Sequence, residues 1–173
     1  AAAYVMMAWR VAYCKVFYPL AYYCAYYSIR ANAFDYEKMA MGRERLEYYI
    51  NDYKAKKADG TISNVEDDEL KDMRIVQEMY ARGYEFLPID IYRAKATKFS
   101  IIDGKLMPPF SSIDGMGEKA AEAVEEAAKD GPYLSKDDFR NRTKASKTVV
   151  DYMADLGLLG DLPESNQLSL FDL

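Results

Sequence analysis

Residues 110–120 place two glycines one position apart, directly before a helical pattern. Gly115 and Gly117 allow a tight turn whose backbone can come close to another backbone. A helix that begins at Glu118 would present unpaired N–H groups at its first turn, and together with the helix dipole these form a binding site for an anion. Lys119 lies in the same turn and can reach the same anion. The chemistry that this spacing predicts is the holding of a phosphate, without catalysis.

The apolar residues of this turn are Ile113 and Met116. The order Ile-x-Gly-Met-Gly, followed by Lys-Ala, resembles a helix-hairpin-helix motif, and the resemblance implies contact with the phosphates of DNA. The alternative is an ordinary glycine-containing turn before an amphipathic helix. In that case the apolar side of the helix would simply pack in a core, through Ala120, Ala123, Val124 and Ala127.

A second, degenerate unit of the same kind follows. Ser135 is expected to cap a short helix over residues 136–141, and the turn 142–146 then leads into a helix that Gly157 ends. This turn lacks the paired glycines, but residues 136–147 hold five basic and two acidic side chains, a local charge of 5 − 2 = +3. A basic run suits contact with a duplex backbone, and a solvated helix face is the alternative. The residues of this turn that we expect at the DNA are Arg142, Lys144, Ser146 and Lys147.

The chain ends in a short segment with a polar anchor and spaced apolar side chains. It consists of Gln167, Leu168, Ser169, Leu170 and Phe171, followed by Asp172-Leu173, and the polar run 162–166 separates it from the last helical pattern. Such a peptide suits a preformed groove on a partner. Its sequence resembles the pentapeptide by which bacterial replication and repair proteins bind the sliding clamp. A tail that folds back onto its own domain is the alternative.

Composition limits the class of protein. The 173 residues can form one ordinary domain or two small ones, and a net charge of 23 − 28 = −5 means that any nucleic acid must be bound by a local patch. Histidine is absent, which excludes histidine-based triads and general bases and most zinc sites within the chain. Cys14 and Cys24 lie in an aromatic run without metal-ligand spacing. We interpret them as small apolar core residues of a protein in a reducing compartment. We predict no catalytic residue, no metal and no cofactor in this chain.

The hydrophobic pattern predicts a mainly α fold with a small β insert. Two helices within residues 1–31 are separated near Pro19, and a third covers residues 34–53. A fourth helix begins after a cap at Ser63 or Asn64 and ends before Gly83. Short β segments follow over residues 86–92 and 98–102, with a turn at Asp103-Gly104, before helices resume. The longest uncharged stretch, residues 16–29, is 14 residues long, shorter than the roughly 20 that a membrane span needs.

Three domains are expected: a helical segment over residues 1–88, a short β element plus tandem helix-hairpin-helix domain over 89–162, and a clamp-binding tail over 163–173. The aromatic density of residues 1–31 is typical of helices that lie inside a larger body. In an isolated fragment part of that aromatic surface would be uncovered.

Seven segments of the chain, taken together, resemble the C-terminal region of a PolC-type bacterial DNA polymerase III alpha subunit. These segments are residues 3–13, 18–23, 89–99, 108–117, 134–138, 145–148 and 162–171. The resemblance implies that residues 1–88 end the fingers region, and that the tandem hairpins lie on the duplex behind the primer terminus. It also implies that the palm, with the aspartates that hold two Mg ions, lies outside this chain. The chain departs from the pattern at two places: Asp114 stands where many such hairpins have proline, and Asp172-Leu173 extends past the phenylalanine.

The expected function is that of a cytoplasmic fragment of a replicative DNA polymerase, inactive alone. It would grip double-stranded DNA, tether the enzyme to the sliding clamp and pack against the upstream polymerase domains. Two alternatives remain at this point. One is a stand-alone DNA-binding adapter that recruits the clamp to repair intermediates, and the other is the end of a lesion-bypass polymerase.

Overall fold

The structure is a computed structural model in which residues 1–165 are described. The predicted clamp peptide, Gln167–Phe171, lies outside the described residues. The described part confirms the mainly α fold with a small β insert. Its helices are α1 (Ala2–Phe17), α2 (Pro19–Ile29), α3 (Tyr36–Met39), α4 (Arg43–Ala58), α5 (Asn64–Ala81), α6 (Glu118–Ala127), α7 (Lys136–Thr143) and α8 (Lys147–Asp155), its strands β1 (Ser100–Ile102) and β2 (Lys105–Met107), and its 3-10 turns Phe110–Ser112 and Ala128–Asp130.

The chain divides into two compact units. The first contains residues 1–87 and 98–108, and the second contains residues 88–97 and the chain from residue 109 onward. The sequence interpretation also divides the chain near residue 88, but it groups the β hairpin with the hairpin-helix domain. In the structure the hairpin belongs to the first unit, where Phe86 forms a bridge to Leu106 and Leu87 N–H donates to the Leu106 carbonyl at 2.7 Å.

Aromatic and aliphatic side chains from α2, α4 and α5 form the core of the first unit. Tyr23 and Tyr27 of α2 are buried in it and stack at 6.0 Å between ring centroids. Strands β1 and β2 pair antiparallel around Asp103-Gly104, with Ser100 opposite Met107, so Leu106 reaches the same core. The other members are Ala31, Met39, Leu46, Ile50, Tyr53, Leu70, Met73, Val76, Met79, Phe86 and Phe99.

Local sequence signals explain most helix ends in this unit. Pro19 begins α2 because it cannot continue the hydrogen bonding of α1. Ser63 accepts from the Glu66 N–H while the Glu66 carboxylate accepts from the Ser63 N–H, which is a capping box at the start of α5. The single helix predicted over residues 34–53 was wrong. It is two helices, because Gly42 adopts φ +110° between them, which a helix cannot contain.

Within residues 1–165, helix α1 has no buried residue. Its exposed large apolar side chains run all round it, from Tyr4 at 79% exposure to Phe17 at 62%. A helix that is apolar on every side needs a covering surface. This agrees with the expectation that part of the aromatic opening would be uncovered. Between residues 1 and 165, no helix combines the length and apolar composition needed to cross a bilayer.

The second unit surrounds its own apolar core with three helices. Phe110 and Phe139 are completely buried there. The buried residues that α6 and α8 contribute include Ala121, Val124, Val150 and Met153. The unit is closed by Tyr92, whose hydroxyl accepts from the Tyr133 N–H at 3.1 Å and whose ring stacks on Tyr133. This core fixes the two turns that precede α6 and α8, where the predicted phosphate contacts lie.

Candidate nucleic-acid interface

The first turn has the form that its two glycines predict. Gly115 adopts φ +76°, a conformation that costs a side chain strain, while Ile113 and Met116 are buried beneath it. The Met116 N–H donates to the Ile113 carbonyl at 3.0 Å, which tightens the turn. The structure therefore places Ile113 and Met116 as supports of the turn, with their side chains facing the core.

The start of α6 presents open backbone donors. Gly117 is the N-cap, it is exposed, and it supplies no side chain to cap the helix. Among the described residues, the N–H groups of Glu118, Lys119 and Ala120 have no protein acceptor, and the first paired amide is that of Ala121. Three aligned N–H groups with a helix dipole behind them attract an anion.

The fold itself gives no reason for glycine at position 117. Its φ is −67° and its ψ is 159°, which any residue adopts, and an added Cβ would meet nothing within 4 Å. Serine or aspartate would cap the helix better. The absence of a side chain instead leaves the open N–H groups accessible to a bulky ligand that approaches closely, which is the use of glycine in phosphate-binding turns.

The second turn repeats the backbone of the first without its glycines. Lys144 adopts φ +56°, Ala145 is buried, and Ser146 caps α8 with φ −66° and ψ 153°. These three positions correspond to the positive-φ glycine, the buried methionine and the N-cap glycine of the first turn. The N–H groups of Lys147 and Thr148 have no acceptor among the described residues, while the Ser146 hydroxyl accepts from the Val149 N–H at 3.3 Å.

The two turns lie side by side. A Cβ placed on Gly115 would be 3.5 Å from Cγ2 of Val149, in the first turn of α8. Arg142 connects the two halves: its guanidinium donates to the carbonyls of Ala127 at 2.6 Å and Gly131 at 3.0 Å, and it lies 4.4 Å from the centre of the Tyr133 ring. Arg142 is therefore engaged in holding the end of α6, which makes it a residue that positions the turns.

Unpaired cations accompany the open N–H groups. Lys119, Lys144 and Lys147 are exposed, and in the described part of the chain none of them forms an ion pair. Arg140, which was not among the predicted site residues, is equally exposed and equally without an ion pair in that part. The sequence indicated Arg140 only as one of the five basic residues within 136–147.

Two of the acidic side chains of α6 are paired with groups other than the open N–H groups. Glu125 accepts from the Ala96 N–H at 2.6 Å and pairs with Lys95 at 3.3 Å, and Glu126 pairs with Lys129. The Ala96 hydrogen bond, aided by Lys95, holds the pKa of Glu125 below its usual range. Glu118 remains exposed in the first turn of α6, so one carboxylate stands beside the open N–H groups.

The N-terminus of α7 differs from those of α6 and α8. Its first N–H groups, on Lys136 and Asp137, donate to the carbonyls of Pro163 and Glu164. An anion therefore has access to α6 and α8 but not to α7. Among residues 1–165, no three acidic, cysteine or histidine side chains are arranged to hold a metal ion.

Comparison with known proteins agrees with this geometry. Residues 83–168 match a family model described as a helix-hairpin-helix motif. Over 172 residues, 99% of the chain, it is 48% identical to the DNA polymerase III PolC-type of Streptococcus pneumoniae (strain D39) and 49% identical to that of Streptococcus suis (strain 98HAH33). The chain spans about 12% of the length of these relatives. A helix-hairpin-helix motif is thus present in the second unit, and nearly the whole chain is homologous to PolC-type DNA polymerase III proteins.

Proposed function

We propose that this chain is the part of a bacterial replicative DNA polymerase that grips duplex DNA and tethers the enzyme to the sliding clamp. The observation that carries the proposal is the pair of adjacent turns capped by Gly117 and Ser146. Each is followed by open N–H groups and flanked by lysines that form no ion pair within residues 1–165. Two such turns hold two phosphates. Contacts of this kind position a protein on a duplex without reading its sequence.

The tether in this proposal is the peptide Gln167–Phe171. Its support is the resemblance of its residues to the clamp-binding pentapeptide and its place directly after the DNA-holding unit. Tethering makes each return of the enzyme to the primer terminus an intramolecular event at high effective concentration.

The upstream polymerase domains are the third proposed partner. Helix α1 exposes apolar side chains on every side, and the relatives extend well beyond the matched stretch. In the proposed enzyme those domains cover α1 and carry out two-metal phosphoryl transfer in the bacterial cytoplasm, while this stretch supplies no catalytic residue. The homology includes residues 1–82 as well as the hairpins, which favours a polymerase over a stand-alone adapter.

Substitution Gly117→Val tests the DNA contact. The side chain fits the fold, because nothing lies within 4 Å of the added Cβ, but its branched carbons stand over the open N–H groups. We expect duplex affinity to fall about ten-fold or more, equivalent to about 1.4 kcal/mol. Fluorescence anisotropy with a labelled duplex measures this, and clamp affinity is measured in parallel and is expected to stay unchanged.

Gly117→Ser is the matched control. Serine caps a helix better than glycine and is smaller than valine, so stability should hold or rise while duplex affinity falls less. Equal losses of duplex and clamp binding in Gly117→Val would contradict two separate sites. Unchanged duplex binding in Gly117→Val would remove the first turn from the interface.

A further inference from the structure

Helix α1 reaches the body of its unit through its last turn. Within the described chain, every residue of the helix except Lys15 is exposed. The Lys15 ammonium pairs with the Glu78 carboxylate of α5, with Nζ 2.8 Å from Oε1 and 2.9 Å from Oε2. The other charged residue of α1, Arg10, is exposed and forms no ion pair among residues 1–165. The contact of α1 with α5 is therefore polar, although the helix itself is apolar.

The carbonyl of Lys15 lacks its usual partner for a reason that the sequence fixes. In a continuous helix this carbonyl accepts from the N–H four residues later, but that residue is Pro19, which has none. The Arg82 guanidinium supplies a donor instead, at 2.9 Å. Positive charge is favourable here, because the last carbonyls of a helix carry the negative end of its dipole.

Tyr23 of α2 joins these contacts into one network. Its hydroxyl donates to the Glu78 carboxylate at 2.6 Å and accepts from the Arg82 guanidinium at 3.1 Å. Burial and the bond to Glu78 raise the pKa of Tyr23 to about 12, so this hydroxyl remains a donor at neutral pH. Burial opposes ionisation of Glu78, but the hydrogen bonds from Lys15 and Tyr23 outweigh it and lower the pKa of Glu78. We call Lys15, Tyr23, Glu78 and Arg82 the latch.

We propose that the latch holds α1 at one fixed angle to α2, so that the apolar surface of α1 points in one direction before another surface covers it. The junction needs such a device. Tyr18, between the two helices, has the non-helical angles φ −134° and ψ 56°, and Pro19 interrupts the hydrogen bonding. The role of the latch does not depend on what covers the helix, and so it stands apart from the function proposed above.

The length of α1 makes opening of the latch measurable. The helix rises about 1.5 Å per residue, so Val5 lies about 15 Å beyond Lys15, and a rotation of about 20° at the junction moves Val5 by about 5 Å. Nitroxide labels report this displacement by pulsed electron spin resonance. One label is at Val5→Cys, and the second is in turn at Asn51→Cys on α4 and at Val65→Cys on α5, which are exposed positions of the same unit.

The labelling requires a chain without other thiols. Cys14 and Cys24 are therefore replaced by serine in every sample. The labelled chain is diluted with unlabelled chain, so that only distances within one molecule contribute. The melting temperature of each variant shows whether the unit is folded.

Two substitutions open the latch from opposite sides. Lys15→Met removes the ammonium and keeps an unbranched stem, and Arg82→Ala removes the donor to the Lys15 carbonyl. The matched control is Arg10→Met, the same exchange at the charged residue of α1 that lies outside the latch. We expect narrow distance distributions in the otherwise wild-type chain and in the control, and distributions broader by about 5 Å in the double variant Lys15→Met, Arg82→Ala.

Pro19→Ala separates the carbonyl contact from a general loss of packing. It restores the N–H that the Lys15 carbonyl lacks, so in the Arg82→Ala background the distributions should become narrow again. Their mean distances should change, because the two helices become continuous. Distributions as broad as those of Arg82→Ala alone would show that the guanidinium does not act through this carbonyl.

Two results overturn the proposal. One is an otherwise wild-type chain whose distributions are as broad as those of the double variant, and the other is a double variant whose distributions are as narrow as those of the control. If Arg82→Ala unfolds the unit, Lys15→Met alone decides between the same two results, since it changes only the surface of α1.

Discussion

At the scale of single residues, the two glycines of the first turn are required for different reasons. Gly115 adopts φ +76°, which the turn itself imposes, whereas Gly117 has ordinary backbone angles and open space around it. The first glycine serves the fold, and the second leaves room for a ligand. Arg142, by contrast, was predicted to contact DNA but serves the fold, because its guanidinium donates to carbonyls of its own chain.

Tyr133 carries a polar atom that the fold does not satisfy. Its hydroxyl is buried and has no hydrogen-bond partner among the described residues, and burial raises its pKa. We therefore expect Tyr133→Phe to stabilise the chain by about 1 kcal/mol, because it removes an unpaired buried group and keeps the ring. Urea unfolding measures the change.

Tyr53→Phe is the control for this prediction. The Tyr53 hydroxyl is also buried, but it donates to the Glu69 carboxylate at 2.5 Å, so its loss should destabilise the chain. A destabilised Tyr133→Phe would mean that an ordered water or a partner satisfies the Tyr133 hydroxyl in solution.

At the scale of elements, sequence predicts what is encoded within a few residues. The break near Pro19 is local and is confirmed, and of the two caps that the sequence left open, Ser63 and Asn64, the structure has Ser63. Gly42 was interpreted as part of a helix, since a single glycine is compatible with one, but it adopts φ +110°. The likeness of the second turn to the first was only partly predictable, because Lys144 takes a glycine conformation without being glycine. The bonds from the Lys136 and Asp137 N–H groups to the carbonyls of Pro163 and Glu164 could not be predicted, because they join residues 27 positions apart in sequence through backbone atoms.

Lys144 gives a prediction in which stability and binding change in opposite directions. A lysine at φ +56° is strained by about 1 kcal/mol relative to glycine, so Lys144→Gly should leave the fold equally stable or slightly more stable. It also removes an exposed cation from the second turn. We expect weaker duplex binding, and a slope of log affinity against log salt that is smaller by about 1.

Lys54 supplies the control for the loss of charge. It is exposed on α4 of the first unit and, within residues 1–165, forms no ion pair. Lys54→Ala should leave the salt slope unchanged. The same slope in Lys144→Gly and in the wild type would argue that Lys144 does not contact a phosphate.

At the scale of the whole molecule, the two units differ in how complete they are. The second unit encloses its core, while the first leaves α1 outside its own. An apolar surface of this extent marks a contact with another protein surface. The relatives are much longer than the matched stretch, and under the function proposed above the additional domains would supply the covering surface.

The double variant Met7→Glu, Val11→Lys tests whether α1 is needed within this chain. Both side chains are more than half exposed, and a glutamate four residues before a lysine supports a helix. We expect the melting temperature to stay within experimental error and self-association in gel filtration to decrease. Tyr27→Ala, at a buried position of the first unit, should by contrast cost about 3–5 kcal/mol. A comparable loss in the α1 variant would show that α1 packs on its own unit in solution.

The chain has one tryptophan, Trp9, which lies on α1 with 62% of its surface exposed and its ring stacked on Tyr13. Its emission in this chain should therefore already lie near that of indole in water. Unfolding of the core would pass almost unseen in the tryptophan signal and would be visible in the signal of the buried tyrosines. Any surface that covers α1 would shift the tryptophan emission to shorter wavelength. The uncovered helix thus carries an intrinsic optical reporter of its own assembly.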